Sequence, residues 1–516
     1  MLPHFNTAGA CIPGEHYMLS PEPRFRHVMR LVDERKYFTL HAGRQTGKST
    51  SARWLAETYN AGGRYRALWL DIQTAREQPD PAAAFRTILT MVDQAFRMYW
   101  PDGPALDHRH LLEDPATTIL RLFQQLAGAS DRPLVVLVDE ADGLVGPTMV
   151  SFLTQLRGGY LSRSSIPFPH SMALIGMRQV RDYALSAGER RAVTWLGTTS
   201  PFNITAEAAT LEPFTRNDVH ELLLQHTAHT GQTWETAALD RVYDLSQGHP
   251  WLANAMADQI VNRDVEDRSV TVTAEHVEAA KETIIRERRT HIDSLLARLR
   301  EDRVRRVIEP MLIGGQAAGD TMEDDFAYVM GLGLVTKQQG QLRVANPIYR
   351  EVIVRALTWA HQVQLNQPTS WYVREDGTLD MPKLMAAWQK FWRKDGHLAA
   401  EGFHYREAGP HLMLMAFLQR ILNGGGSLAR EYGLGRGAVD LVVGWHGEQH
   451  VIELKLRRDT ETEVEAFEQV AGYLDTLGLD QGWLVLFDLR KGVAWEDKLF
   501  VREVECSGKT IRVVGS

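Results

Sequence analysis

Residues 37–50 read Tyr-Phe-Thr-Leu-His-Ala-Gly-Arg-Gln-Thr-Gly-Lys-Ser-Thr, a short apolar run that passes through a glycine-bracketed turn into Lys48 and Ser49. No other stretch restricts the fold as strongly. Such a turn needs a buried strand to deliver it, backbone N–H groups that point inward, and a helix that starts at once and offers its N-terminus to an anion. The spacing predicts a strand over Tyr37–His41, a loop over Ala42–Gly47 and a helix from Lys48 through Glu57. Gly43, Arg44, Gln45, Thr46 and Gly47 would cradle phosphate, with Thr50 closing the motif. Lys48 would reach the β- and γ-phosphates of a nucleoside triphosphate, and the Ser49 hydroxyl would ligate Mg²⁺. Ala42 stands where such loops usually carry their first glycine. A glycine-rich turn can serve packing alone, but with Gly-Lys-Ser between strand and helix the expectation is nucleotide binding.

A second half of the same site follows. Leu134-Val-Val-Leu-Val138 is a continuous apolar run, as a strand buried on both faces requires, and it ends in Asp139-Glu140. This reads as a Walker B element: Asp139 would hold Mg²⁺ through water and Glu140 would orient the attacking water. Surface acids capping a strand are the alternative, which the pairing with Lys48 and Ser49 disfavours. Met172-Ala-Leu-Ile-Gly-Met177 is a third buried run and leads into Arg178. Arg178 is either a sensor of the γ-phosphate or a solvated arginine past a strand end; both readings stay open. With Ala67-Leu-Trp-Leu-Asp71 as a further strand, the segment alternates strands and helices in the parallel α/β manner.

At 516 residues the chain is too long for one core and should divide into about three or four domains. A net charge of −8 and a pI near 6.2 do not announce a nucleic-acid binder, although local basic surfaces remain compatible with them. Two cysteines, Cys11 and Cys506, leave no disulfide framework or zinc cluster and fit a reducing cytoplasm. No signal peptide and no apolar run of membrane-spanning length is seen, so a cytoplasmic protein without membrane contact is expected. His226 with His229, and His108 with His110, lack acidic or cysteine partners at ligand spacing and are expected on the surface.

Residues 274–312 are helical in pattern and dense in arginine, with acids interleaved, which points to a solvated, salt-linked face, a phosphate-contacting surface being the alternative. Phe326–Val335, two short strands about Gln339-Gly340, and a helix opening at Asn346-Pro make a helix–hairpin–helix unit of winged-helix type. In residues 358–400, Met385, Trp388, Phe391 and Trp392 form an apolar stripe, read as a docking face. From about residue 400 the order becomes helix, three strands, helix, strand, with a helix over Tyr405–Leu422 and strands near Leu428–Tyr432, Val439–Val443 and Gln449–Leu456. A second helix covers Glu463–Leu477, and Gly482–Phe487 is a strand joined by a parallel crossover. Alternation puts Glu453 and Lys455 on one face, and Asp440 on the preceding strand can sit beside them. Two clustered carboxylates are a hard oxygen site for Mg²⁺ or Mn²⁺, and Lys455 would orient or help deprotonate a water. A bare Glu-x-Lys carries almost no information, so the weight rests on the combination.

Gly248-His-Pro250 after an amphipathic stretch, together with the motifs above, resembles the STAND branch of AAA+ ATPases over roughly residues 10–270. The resemblance implies ATP as the nucleotide, Pro250 in contact with it from a helical lid, slow switching, and self-association on ATP binding. His16-Tyr17 would lie over the adenine and the winged helix would relay the lid's state, while no arginine finger is identified and Arg190 and Arg191 are only candidates for one. The C-terminal pattern resembles the PD-(D/E)XK nucleases over roughly residues 400–490. Gln469 and Tyr473, four apart on one helix face, match the glutamine-and-tyrosine motif of RecB-like members. That resemblance adds Glu407 as a further acid, Arg436 as a phosphate contact, and DNA as substrate; Val439 replaces the proline before Asp440. The expected class is a multidomain α/β chain with a P-loop parallel-sheet ATPase (1–212), a helical lid (213–295), a winged helix (296–357), a helical connector (358–399) and a PD-(D/E)XK nuclease domain (400–516). The function expected is an ATP-binding or ATP-hydrolysing switch that gates a metal-dependent DNA nuclease, with genome defence as an analogy. The alternative is a regulatory or scaffold ATPase whose nuclease-like domain binds without cutting.

Overall fold

The computed structural model describes residues 2–103, 105–176, 205–311, 323–338, 341–364, 371–396, 408–422, 426–434, 437–457, 461–488, 490 and 493–516. Arg178, Arg190, Arg191, Glu407, Arg436 and the Gln339-Gly340 turn lie outside them. The chain divides into two compact units, residues 1–295 with 322–349, and residues 296–321 with 350–516.

The first unit is built on five parallel strands, β1 (Tyr37–His41), β2 (Arg66–Asp71), β3 (Leu134–Asp139), β4 (Ser171–Gly176) and β5 (Thr205–Thr210), ordered β2-β3-β4-β1-β5. β1, β3 and β4 are buried along their whole length, which is why they read as unbroken apolar runs and not as alternating ones. Helices Glu22–Asp33, Lys48–Gly62, Pro81–Tyr99, Thr118–Ala129 and Gly146–Ser162 cover the sheet and share one apolar core with it. Insertion of β4 between β1 and β3 has a consequence for chemistry. Asp71 and Asp139 are register partners, as are His41 and Gly176, so the strands end nearly level. The loop after β1 and the acids after β3 therefore face each other across β4, about 9–10 Å apart by strand spacing.

Beyond β5 the chain becomes helical. Arg216–Thr230 opens with a capping box, in which Thr215 Oγ1 accepts from Asp218 N (3.2 Å) and Asp218 Oδ2 accepts from Thr215 N (2.8 Å). Helices Thr236–Ser246, Pro250–Gln259 and Ala274–Arg286 complete this layer. His226 is a correction to the surface expectation. It is 3 % exposed, with Nε2 on Gln232 Oε1 (3.0 Å), because it fills the layer's interior against Phe5 and Tyr17. His229 is exposed, whereas His108 and His110 pair with Asp93 (2.8 Å) and Glu113 (3.2 Å). The unit also holds helix Glu323–Gly331, the antiparallel pair β6 (Val335–Gln338) and β7 (Gln341–Val344), and the start of helix Pro347–Gln364.

The second unit contains β8 (Gly426–Leu434), β9 (Gly437–Trp445), β10 (Glu448–Leu456), β11 (Gln481–Phe487), β12 (Val501–Cys506) and β13 (Lys509–Gly515), ordered β12-β13-β11-β10-β9-β8. β8, β9 and β10 form an antiparallel meander, and β11 joins β10 in parallel after helix Glu461–Leu477. The hairpin β12–β13 continues the sheet beyond the last strand expected from sequence, with β13 parallel to β11. Helix Glu461–Leu477 covers one face, packing Val470 and Leu474 on Val451, Leu484 and Leu486. The Trp388 stripe of helix Met381–Phe391 meets Phe487, and its indole N–H donates to Ser516 Oγ (2.9 Å). Arginines in the basic stretch pair with acids, Arg298 with Glu301 and Arg305 with Glu309, the latter carboxylate fully buried.

Candidate functional sites

The loop after β1 is closed by its own side chains. Gly47 has φ +93 and Lys48 begins the helix, so the chain reverses at the point where the loop's N–H groups converge. Lys48 is 8 % exposed, and its Nζ donates to Ala42 O (2.9 Å) and Gly43 O (2.8 Å). Burial lowers the lysine pKa, while Asp139, Glu140 and Asp142 push it back up. Thr46 Oγ1 donates to Gly43 O (2.9 Å), and Thr50 Oγ1 accepts from Cys11 N (3.0 Å), which ties the N-terminal strap to the helix. Gln45 adopts φ +57.

Asp139 is 2 % exposed and four groups hold it: the Ser49 hydroxyl, Lys48, the Glu140 N–H (3.0 Å) and the Trp69 indole N–H (3.2 Å). Burial nevertheless raises its pKa. Glu140 follows at φ +56, a left-handed conformation costing about 1–2 kcal/mol for a side chain of this kind. Burial first, then Asp142 and Asp139, raise its pKa, which favours a group able to accept a proton. Ser49, Lys48, Asp139 and Glu140 thus converge, and this donor set fits a magnesium-bound nucleoside triphosphate: a cation for phosphate, a hydroxyl and a carboxylate for the metal.

Four residues of the site escaped the sequence reading. Trp69 is one; it is partly exposed on β2, as are Arg66 and Asp71, and nothing local in the sequence marks it. Asp142 is another: a β-carbon at Gly176 would lie 2.7 Å from Asp142 Cγ, so the end of β4 leaves room for that carboxylate. Arg24 donates to Thr46 O (3.2 Å) and Glu212 O (2.7 Å) over the Phe214 ring, and burial brings its pKa down to about 10. The fourth is His249, between Gly248 and Pro250. Pro250 is buried at the first turn of its helix, and it is His249 that reaches the loop, with Nε2 on Arg44 O (3.2 Å). Dense surroundings hold that imidazole down to about 4, with Lys48 and Arg24 adding to the effect. The His249 ring lies tilted against His291, 4.8 Å between centroids, and His291 Nε2 meets Tyr349 Oη (2.5 Å). Tyr17 is 2 % exposed and packed against Phe5 and His226, so its ring is committed to the core and does not form an open adenine platform. Gly43 is pressed on the turn after helix Glu323–Gly331, where a β-carbon would come 3.0 Å from Leu332 O and 3.2 Å from Gly333 Cα.

The second site lies on β9 and β10. Glu453 is 3 % exposed, and Lys455 Nζ sits 2.9 Å from its Oε1. Asp440 Oδ2 accepts from Leu454 N (2.9 Å), locking that carboxylate across the ladder beside Glu453. Tyr473 stands over the group from helix Glu461–Leu477, its pKa raised by burial and by both carboxylates, while Gln469 one turn earlier is exposed. Burial lowers the Lys455 pKa, but Glu453, Asp440 and Tyr473 together hold it above its ordinary value. Two carboxylate oxygen donors fit a hard divalent cation, although no cluster of three or more His, Cys, Asp or Glu exists among the described residues. His411 was not anticipated. It is 9 % exposed near Lys455, its Nε2 has no hydrogen-bond partner among the described residues, and burial brings it down to about 4.

A family model for an AAA domain matches residues 32–183. Among solved structures, the Walker-type ATPase PABY2304 of Pyrococcus abyssi is 13 % identical with a TM-score of 0.50, over 68 % of this chain and 99 % of that one. Cdc6p of Pyrobaculum aerophilum is 14 % identical at TM-score 0.35, over 66 % and 94 % of the two chains. RuvB of Thermotoga maritima is 13 % identical at TM-score 0.34, over 64 % and 93 %. No curated protein matches. Among the described residues no helix is long and apolar enough to cross a membrane. The family match, the strand order and the loop that follows β1 make residues 32–183 an AAA-type P-loop ATPase domain.

Proposed function

We propose that the chain is an ATP-controlled nuclease of the STAND and PD-(D/E)XK kind, acting on DNA with Mg²⁺ or Mn²⁺ in the cytoplasm. The observation that carries this reading is the meeting of Asp440, Glu453 and Lys455 on one sheet face under Tyr473. The order helix, antiparallel meander, helix, parallel strand supports the nuclease fold. In this reading Asp440 and Glu453 hold the metal, which when bound would neutralise phosphodiester charge and acidify a water. Lys455, 2.9 Å from Glu453 Oε1, would orient that water or help deprotonate it and offset charge in the transition state. On the ATPase side, Lys48 and Ser49 bind the phosphates and magnesium, Asp139 supports the metal, and Glu140 takes the water's proton. Gly43 pressed on Gly333 and His249 on Arg44 favour a switch, since filling the loop bears on both the lid and the hairpin segment. Self-association on ATP binding belongs to the same proposal.

The test incubates the full chain with linear and circular DNA, Mg²⁺ or Mn²⁺, with and without ATP, beside Lys455→Ala and Lys48→Ala. Cleavage lost in Lys455→Ala, and sensitive to ATP only while Lys48 is intact, is the expected outcome. Cleavage that survives Lys455→Ala sinks the assignment of the site, and cleavage indifferent to ATP sinks the gating.

A further inference from the structure

Two residues past Lys455, and one beyond the end of β10, comes Arg457, at the edge of a bracketed set of cations. Two buried carboxylates organise it. Asp488, 5 % exposed, accepts from Arg490 Nε (2.9 Å) and Nη2 (2.6 Å) and lies 3.9 Å from Arg457 Nη1. Glu463, 7 % exposed, takes Arg457 Nε at 3.3 Å and also binds Arg502. The Phe500 ring lies between two of the guanidiniums, 5.9 Å from Arg457 and 5.5 Å from Arg502. Lys498 Nζ joins the set through Arg490 O (2.7 Å).

The arrangement differs from a scatter of surface ion pairs. The acids are on the inside and the arginines on the outside, with the Arg490 and Arg502 side chains 52 % and 47 % exposed. Each guanidinium carries five N–H donors in a rigid fork, so a fork gripped from below by a carboxylate still presents donors outward. Four cations (Arg457, Arg490, Lys498, Arg502) surround two buried carboxylates (Asp488, Glu463), while Glu496 and Asp497 share the short helix of Lys498 and Glu496 pairs with Arg393. Rotamer entropy is already lost in the free protein, which favours binding a repeated anion over binding none.

We infer that Arg457, Arg490, Lys498 and Arg502 form a phosphate-backbone track that seats the nucleic-acid strand next to the Asp440–Glu453–Lys455 site. It rests on the nuclease reading only for its direction, since the track begins where the Lys455 face ends. Its ligand is the phosphodiester backbone itself, contacted without base readout.

The test measures binding of a fluorescent DNA duplex and single strand by anisotropy in EDTA across a salt series, using the full chain. Arg490→Gln with Arg502→Gln is compared with Lys498→Glu, which leaves both buried carboxylates paired, and with Lys455→Ala. Each phosphate contact contributes about one unit of salt slope and roughly tenfold in affinity near 0.1 M salt. The double variant should therefore bind at least tenfold more weakly with a slope flatter by about two, and Lys498→Glu should weaken binding with its thermal midpoint unchanged. Unchanged affinity and slope in both variants, or no binding by the wild type, overturns the track. Binding that weakens as expected with no cleavage under any condition keeps the track and removes the nuclease reading; cleavage with unaltered binding does the reverse.

Discussion

Gly248→Ala should be among the most damaging single-methyl changes in the first unit. Gly248 has φ +74, and a β-carbon there would lie 1.9 Å from Phe214 O. The same glycine's carbonyl accepts the Phe214 N–H at 2.9 Å, so the two backbones are already joined at van der Waals limit. The left-handed conformation costs an alanine about 1–2 kcal/mol. Separating the backbones adds about 1–3 kcal/mol of overpacking and weakens a hydrogen bond worth about 1 kcal/mol. The total is roughly 3–6 kcal/mol, a large share of a domain's stability. Gly231 is a matched control: φ +78, with nothing within 4 Å of its β-carbon position, so Gly231→Ala carries the strain alone. Urea melts followed by tryptophan fluorescence should separate the two by at least about 2 kcal/mol, the difference between clash and strain. Because His249 follows directly and holds Arg44 O, Gly248→Ala should also weaken nucleotide binding, while Gly231→Ala should not. Equal destabilisation of the two variants would falsify the claim that close approach, and not φ alone, requires glycine at 248.

Trp69→Phe removes the indole donor to Asp139 while keeping the ring, and should weaken magnesium-dependent ATP turnover about tenfold, with metal-free nucleotide binding unchanged; a magnesium titration of turnover checks it, and an unaltered titration refutes it. Acidification reads two histidines with depressed pKa values. His249 and His411 are both depressed to about 4, so each contributes stability that is present above pH 6.5 and lost as pH falls through about 4. For His411, nearly fully buried, the loss is at most about 3 kcal/mol, and His411→Leu should flatten the decline of the second unit's melting point over that window. Parallel pH curves for variant and wild type would sink the assignment.

The sequence by itself determined the elements whose code is local. A buried strand flanked by glycine and lysine has one way to fold, so β1, its loop and the helix from Lys48 were legible in fourteen residues. Unbroken apolar runs specified β3 and β4, and alternation placed Glu453 with Lys455. Hairpin β12–β13 was not legible: its residues are mostly exposed on β12, so no apolar pattern announces it, and only pairing with β11 completes it. His226 looked like a surface residue because a polar side chain in a polar stretch carries no local sign of burial. The site's supports are likewise tertiary. Trp69 reaches Asp139 across 70 positions, Arg24 reaches Glu212 across 188, and His249 reaches Arg44 across 205. Periodicity reports which way a side chain faces within its own element, because that depends on backbone geometry alone. Which distant carbonyl or carboxylate it meets depends on how the layers pack, and that was decided only by the folded chain.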